Sequence, residues 1–174
     1  DGYDRAQSSA GALVERLAQK LSRDAGIPRD QLSITASHTH TAPMVNDVSP
    51  TLVGTAIPEP HQAHIDQYSR EFEEKLGQVA LKALADRQPA TLSWALGRVG
   101  FARNRRTAGG PVDHDLPLLA VTGKDGKLRA VYVSYACHCV TLSDNRISGD
   151  WAGDAMAMIE RQHPGCAALI SIGC

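Results

Sequence analysis

Leu116-Pro117-Leu118-Leu119-Ala120-Val121, then Lys124-Asp125-Gly126-Lys127, then Leu128-Arg129-Ala130-Val131-Tyr132-Val133-Ser134-Tyr135-Ala136: this stretch decides the fold. Its two outer segments are rich in apolar, branched and aromatic residues, a composition typical of strands. The Asp-Gly pair between them is a strong hairpin signal, because a tight turn needs residues that accept positive φ angles. The stretch therefore predicts two neighbouring antiparallel strands.

Helical and strand-like segments alternate on both sides of this hairpin. Apolar residues at helical spacing predict a helix that starts at a Ser8 or Ser9 cap and stops at Gly26, and two more over residues 62–86 and 151–162. Period-two or continuous apolar patterns predict strands over 31–37, 91–96 and 169–172. An antiparallel pair within such an alternation indicates the α/β class, with a mixed sheet and flanking helices.

Composition restricts the functional classes. The chain has 174 residues, 43% of them hydrophobic, which suffices for one core. The 18 basic and 19 acidic residues nearly cancel, so no electrostatic surface for nucleic acid is expected. No apolar run approaches the ~18 residues that span a bilayer. The 4 cysteines are too few and too clustered for a disulfide framework.

Two histidines, His38 and His40, follow the strand predicted over residues 31–37. They continue the parity of its apolar residues, so both rings should leave one face with their Cα atoms roughly 6.5 Å apart. Two imidazoles at that spacing can bind one metal ion, or one can bind it while the other donates a hydrogen bond. For an isolated pair, two polar residues at a loop mouth are an equally good interpretation.

A third histidine, His138, lies in a second strand-like run over residues 130–140. The run has the composition of a strand covered on both faces, so the ring should be desolvated unless it meets a partner or a metal. Since His38 and His40 also end a predicted strand, we expect the three rings to converge. Asp150 is expected either to cap the helix over residues 151–162 or to accept a hydrogen bond from the His138 ring. Cys137 and Cys139 should point away from the ring as small core residues, and a Cys139 nucleophile is a minor alternative.

Three segments in a fixed order carry a resemblance to a known family. They are residues 37–43, residues 101–106, and residues 136–142 followed by 145–151. Together they resemble motifs of the catalytic domain of the neutral/alkaline non-lysosomal ceramidases. The resemblance implies a secreted zinc amidase, extracellular or periplasmic, that cleaves the N-acyl bond of ceramide and releases a fatty acid and a sphingoid base.

The resemblance also implies roles for individual residues. His38 and His138 match the zinc ligands, and His40 matches a catalytic group beside the metal. Arg105, with its neighbour Asn104, matches a pocket-lining position, which implies substrate binding by both and a catalytic role for the arginine. The family usually has Ser-Gly-Pro-Gly after the histidine pair, whereas this chain has Thr41-Ala42-Pro43-Met44, so we expect a different loop there.

The family takes two further zinc ligands, a glutamate and a tyrosine, from later positions. We therefore expect residues 1–174 to form one incomplete domain, a piece of a larger catalytic domain truncated at both ends, that binds zinc weakly and has no amidase activity alone. The implied partner is a ceramide-like lipid met at a membrane surface. Two alternatives remain: an amidohydrolase-type metal hydrolase, whose parallel barrel disagrees with the predicted hairpin, and a non-catalytic metal- or lipid-binding domain.

Overall fold

The computed structural model describes residues 10–46, 55–142 and 144–173. The chain divides into two compact units, one made of Asp1–Ile34 with Pro43–Arg87 and the other of Thr35–Ala42 with Gln88–Cys174. The first unit contains helices α1 (Ala10–Ala25) and α2 (Glu59–Ala85). The second unit contains β1 (Ala90–Arg98), β2 (Asp115–Gly123), β3 (Leu128–Tyr135), α3 (Asp150–Gln162) and β4 (Ala167–Ile172).

The first unit is built on two helices that pack together. Leu13, Leu17 and Leu21 of α1 recur at helical spacing and are at most 8% exposed. Arg16 adds a bidentate ion pair with Glu73 of α2, with N–O distances of 2.9 and 2.7 Å. Among the helices that the structure describes, none is long and apolar enough to cross a bilayer.

The second unit is a four-stranded mixed sheet in the order β1-β2-β3-β4. The first two pairings are antiparallel and the third is parallel. Gly126 closes the β2–β3 turn with φ 76°, as the Asp-Gly signal predicts. Helix α3 connects β3 to its parallel neighbour β4 and packs against β4. The predicted α/β class with a mixed sheet is confirmed.

The strand predicted over residues 31–37 is wrong. Arg29–Gln31 form a short 3-10 turn, and residues 32–39, all of them described, have no regular secondary structure. The Ser37 carbonyl accepts one hydrogen bond, from the Cys139 amide at 3.2 Å. Alternating side chains indicate an extended backbone, but a strand also needs a ladder of bonds to a neighbour, and a single bond does not form one.

Strand β3 ends earlier than predicted. Its last residue is Tyr135, because the backbone then turns twice: the Cys137 amide donates to the Tyr135 carbonyl at 2.8 Å, and the Val140 amide donates to the His138 carbonyl at 2.9 Å. Bonds of this i to i+2 type make γ-turns and end a ladder. His138 therefore lies on a turn beyond the strand. The strand is also not covered on both faces, since Tyr132 is 43% exposed.

Two helix starts differ from the sequence prediction. Helix α2 begins at Glu59, with Pro58 at its N-cap, and not at residue 62. Helix α3 begins at Asp150 itself, and Gly149 occupies the N-cap position without a side-chain bond. The predicted Ser8 or Ser9 cap of α1 lies outside the described residues.

Candidate active site

Three imidazole rings meet at one place in the second unit. The rings of His38 and His138 stack with centroids 4.3 Å apart and an interplanar angle of 24°. The His40 ring is tilted by 37° and its centroid lies 5.1 Å from that of His38. The expected convergence is therefore observed. The expected burial of His138 is wrong: all three residues are exposed, because turns and not strands carry them.

The backbone of His38 is in the left-handed region, with φ 59°. This conformation is uncommon for any residue with a Cβ, so neighbouring contacts must hold it. Two threonines beside it do so: the Thr41 hydroxyl donates to the Ser148 carbonyl at 3.0 Å, and that of Thr39 reaches the same oxygen at 3.3 Å. The Ser148 amide donates back to the Thr41 carbonyl at 2.9 Å. The loop with the histidine pair is thus fastened to the segment that precedes α3.

The turn with His138 is fastened to the first residues of α3. The indole N–H of Trp151 donates to the His138 carbonyl at 3.3 Å. The carboxylate of Asp150 accepts bonds from the Thr141 and Leu142 amides, both at 2.9 Å. Within the described residues this carboxylate makes no hydrogen bond to the His138 ring, which the sequence had suggested as an alternative to helix capping.

A cleft of about 200 Å³ opens beside His138. Arg105 contributes to its lining, and among the described residues its guanidinium has no hydrogen-bond or ion-pair partner in the chain. A free guanidinium in a cleft can donate to a carbonyl or carboxylate oxygen of a ligand. The remaining lining residues are Ala102, Arg103, Ala136, Cys137 and Val140.

The loop that presents Arg105 is shaped by Asn104. Its side-chain oxygen accepts bonds from the Arg106 and Thr107 amides at 3.1 and 3.0 Å. Its side-chain nitrogen donates to the Pro111 carbonyl at 3.3 Å. The amide group of Asn104 is therefore engaged within its own loop, and its predicted contact with substrate stays a prediction.

The start of the same loop is held from the sheet. The Tyr135 hydroxyl donates to the Val99 carbonyl at 2.7 Å and accepts from the Ala102 amide at 3.1 Å. His114 reaches the Ala102 carbonyl at 3.1 Å. Tyr135, the last residue of β3, thus holds the start of the loop that carries Arg105. His138 follows Tyr135 on the turn beyond the strand.

The environment lowers the pKa of His38. The largest cause is loss of solvent around its ring, although the residue as a whole is exposed, followed by repulsion from His138, His40 and Arg105. The shift favours the neutral imidazole, which is the form that binds metals and accepts protons. The positive charge of Arg105 therefore disfavours protonation of His38.

Cys137 and Cys139, the two cysteines beside His138, do not have the environment of a nucleophile. Cys139 is 0% exposed, and burial raises the pKa of its thiol. Burial also raises the pKa of the Cys137 thiol, and the negative charge of Asp150 raises it further. A buried thiol with a raised pKa is a poor nucleophile, so the Cys139 alternative loses support, and the expected burial of Cys139 in the core is confirmed.

The histidines fit zinc in chemistry but do not form a finished site. Imidazole is a preferred zinc ligand. A metal binds in the plane of that ring, whereas His38 and His138 face each other through their ring faces. Among the described residues, no group of three or more His, Cys, Asp or Glu side chains is arranged to hold a metal ion. Ligation by these histidines would require their rings to turn.

Sequence reasoning missed the groups that fasten the histidine segments. Ser148 holds the loop through its backbone carbonyl and amide, and backbone groups give no signal in the residue type. Thr39 and Thr41 alternate with the histidines, and two hydroxyls in that pattern were a usable signal for a clamped loop.

Comparison with known proteins gives a likeness of fold. No protein-family model matches the sequence, and no curated protein matches it. The neutral ceramidase from Pseudomonas aeruginosa superposes with a TM-score of 0.66 at 17% identity, over 95% of this chain and 29% of that chain. A structure described as a ceramidase complexed with C2 superposes with a TM-score of 0.64 at 18% identity, over 95% of this chain and 28% of that chain.

The present chain thus spans less than a third of each of these solved chains. Its fold is similar to that of part of these ceramidase chains, in agreement with the resemblance of its motifs. At this level of identity the likeness concerns the fold and not the reaction.

Proposed function

We propose that this chain belongs to the neutral/alkaline ceramidases and forms part of a zinc-dependent amide hydrolase. The observation that carries the proposal is the meeting of the His38 and His138 rings, 4.3 Å apart, beside the cleft that Arg105 lines. The order of the three sequence motifs and the ceramidase-like fold support it. The amidohydrolase alternative loses support, because the β1–β2 and β2–β3 pairings are antiparallel and its barrel is parallel.

In this proposal His38 and His138 hold zinc, and His40 lies beside the metal. Zinc bound by these residues would act as a Lewis acid and would lower the pKa of a water molecule toward ~7. The lowered pKa of His38 keeps its imidazole neutral and ready to bind the metal near neutral pH. Among the described residues no group of three or more His, Cys, Asp or Glu side chains is arranged to hold a metal ion, so in this proposal a complete shell takes further ligands from elsewhere in the protein.

The proposed substrate is ceramide or a related N-acyl lipid. Addition of water to the amide carbonyl places negative charge on the carbonyl oxygen, and the guanidinium of Arg105 is suited to donate hydrogen bonds to it. His40 is the second donor in this scheme. The C–N bond then breaks as the nitrogen takes up a proton, which yields a fatty acid and a sphingoid base. We assign Asn104 to the same pocket, where it shapes the loop that presents Arg105.

The proposed setting is extracellular or periplasmic, where the enzyme would meet its lipid at a membrane surface. The near-neutral charge of the chain indicates that apolar contact, and not attraction to anionic headgroups, would bring the lipid to the cleft.

The test combines calorimetric zinc titration with an assay for release of sphingoid base from a short-acyl ceramide. Both are run on the 174-residue chain and on any longer natural form of the protein. In the form that binds zinc and hydrolyses ceramide, His38→Ala and His138→Ala should abolish both. His163→Ala is the matched control, since His163 is an exposed histidine at the end of α3 and should leave both unchanged.

The outcomes separate the alternatives. Zinc binding that survives both His38→Ala and His138→Ala contradicts the proposed site. Stoichiometric zinc without hydrolysis of any N-acyl lipid by the longer form favours a non-catalytic metal- or lipid-binding domain.

A further inference from the structure

We infer that Asp150 is a positioning residue that holds the two histidine-bearing segments, residues 37–41 and 138–142, beside each other. The part of this inference that concerns catalysis rests on the proposed function. The part that concerns the position of the two segments does not. The inference rests on three features of Asp150: what its carboxylate accepts, what its backbone contacts, and how fully it is buried.

The carboxylate of Asp150 collects four donors. One oxygen accepts from the Thr141 hydroxyl at 2.6 Å and from the Trp151 amide at 2.7 Å. The other accepts from the Thr141 and Leu142 amides, both at 2.9 Å. Three of these four donors belong to the segment that leaves His138. The side chain thus fixes the path of that segment relative to the start of α3.

The backbone around Asp150 reaches the other histidine segment. The Asp150 amide donates to the Ser148 hydroxyl at 3.0 Å. The Ser148 carbonyl accepts the hydroxyl of Thr41, and the Ser148 amide donates to the Thr41 carbonyl. One short segment therefore contacts both histidine-bearing segments, and Asp150 is the residue through which the two sets of bonds connect.

Asp150 occupies this position under constraint. The residue is 2% exposed, and its φ of 56° lies in the left-handed region. Among the described residues no cation pairs with its carboxylate, so its hydrogen bonds must stabilise the buried charge. Gly149 already occupies the N-cap of α3, and an N-cap does not need positive φ, so the start of the helix does not by itself require such a residue. Burial, conformation and donor count all indicate that the carboxylate organises the site.

Asparagine at this position has the same shape but not the same hydrogen-bonding capacity. Its amide has one accepting oxygen and one donating NH₂ group. Whichever way it is oriented, the NH₂ faces at least one backbone N–H, either that of Trp151 or those of Thr141 and Leu142. At least one buried donor then loses its acceptor, and the 138–142 segment should shift.

The experiment measures the ring arrangement directly. In the zinc-free chain, nuclear Overhauser contacts between the ring protons of His38 and His138 report their stacking. Asp150→Asn should abolish these contacts while the dispersed amide spectrum of the sheet persists. Zinc affinity, measured by calorimetry, should fall roughly 10- to 100-fold, as expected for loss of a group that orients metal ligands. Asp154→Asn, an exposed acid one turn further along α3, should change neither reading.

Thr141→Val covers the case in which Asp150→Asn does not fold. It removes the 2.6 Å hydroxyl bond and leaves the amide bonds, so it should weaken the ring contacts with the fold intact. Unchanged ring contacts in a folded Asp150→Asn or Thr141→Val variant overturn the inference. Absence of ceramide hydrolysis by the wild-type protein contradicts only the proposed function, because the ring contacts do not depend on activity.

Discussion

The imidazole of His38 stacks on that of His138, with 4.3 Å between the ring centroids, although the two residues come from segments far apart in sequence. Two imidazoles in contact cannot both be protonated without repulsion, and this repulsion contributes to the lowered pKa of His38. The lowered pKa favours the neutral form of the His38 imidazole. A neutral imidazole can bind a metal ion without first losing a proton, although the stacked rings would still have to turn to ligate it.

Arg105→Lys tests whether the arginine acts on substrate. A lysine keeps the charge but loses the planar set of donors that can hold a carbonyl oxygen. In a form of the protein that hydrolyses ceramide, kcat should fall by roughly 10²-fold, the size expected for one lost oxyanion donor. Zinc content, measured by elemental analysis, should not change.

Arg106→Lys is the control for that substitution. Arg106 is the next residue and is exposed, but it does not line the cleft. The Arg106→Lys variant should retain wild-type turnover. Loss of zinc in Arg105→Lys would contradict the assignment and give the arginine a structural role.

Tyr135→Phe tests the support of the Arg105 loop. The Tyr135 hydroxyl is buried, and its loss leaves the Val99 carbonyl and the Ala102 amide without their partner. The free energy of unfolding, measured by urea denaturation, should fall by about 1–3 kcal/mol. Tyr132→Phe removes a bond to Ser171 from a 43% exposed residue and should cost at most about 1 kcal/mol. Equal losses of stability in the two variants would contradict the role of Tyr135 in holding this loop.

Local signals were enough to predict the β2–β3 hairpin. The Asp125-Gly126 turn and the apolar runs beside it determine the β2–β3 hairpin, and neither depends on distant residues. The end of β3 at Tyr135 could not be predicted, because its carbonyl accepts bonds from Cys137 and from Gly173, which belongs to another part of the chain. The strand-like pattern over residues 31–37 failed for a similar reason, since pairing is a property of two segments.

The histidine cluster followed from the motifs, but its surroundings did not. His38, His40 and His138 matched ordered motifs, and the structure brings them together. The left-handed backbone at His38 and at Asp150 had no sequence signal, because neither residue is a glycine. The sequence predicted that Asp150 either caps a helix or supports a histidine ring. In the structure its carboxylate accepts hydrogen bonds from the segment that follows His138.

Gly110→Ala tests the loop that Asn104 shapes. A Cβ at residue 110 would lie 2.6 Å from the side-chain nitrogen of Asn104, so that side chain must move and give up its bonds to the Arg106 and Thr107 amides. We expect faster hydrogen exchange of these two amides and a loss of about 1–3 kcal/mol in stability. Gly100→Ala is the control, because an added Cβ there meets nothing within 4 Å. Unchanged protection of the two amides in Gly110→Ala would contradict the role of Asn104.

The charge of Asp150 should make stability depend on pH at the acidic end. Burial raises the pKa of Asp150, but the bonds from the Thr141 hydroxyl and from the Trp151, Leu142 and Thr141 amides outweigh it and hold the pKa below its ordinary value of 3.8. A carboxyl with a lower pKa in the folded state stabilises the fold above its unfolded pKa. That contribution is lost as the pH falls through the folded pKa.

Thermal unfolding followed from about pH 6 down to about pH 2 should therefore show a steeper loss of stability in the wild type than in Asp150→Asn, which has no carboxyl to titrate. Hydrogen bonds from Lys20 and Arg146 lower the pKa values of Asp24 and Asp144. Both carboxyls are present in the two proteins, so they contribute equally to the pH dependence of stability in each. Asp154→Asn should follow the wild-type curve. Parallel curves for the wild type and Asp150→Asn would mean that the Asp150 carboxylate does not stabilise the fold through its charge.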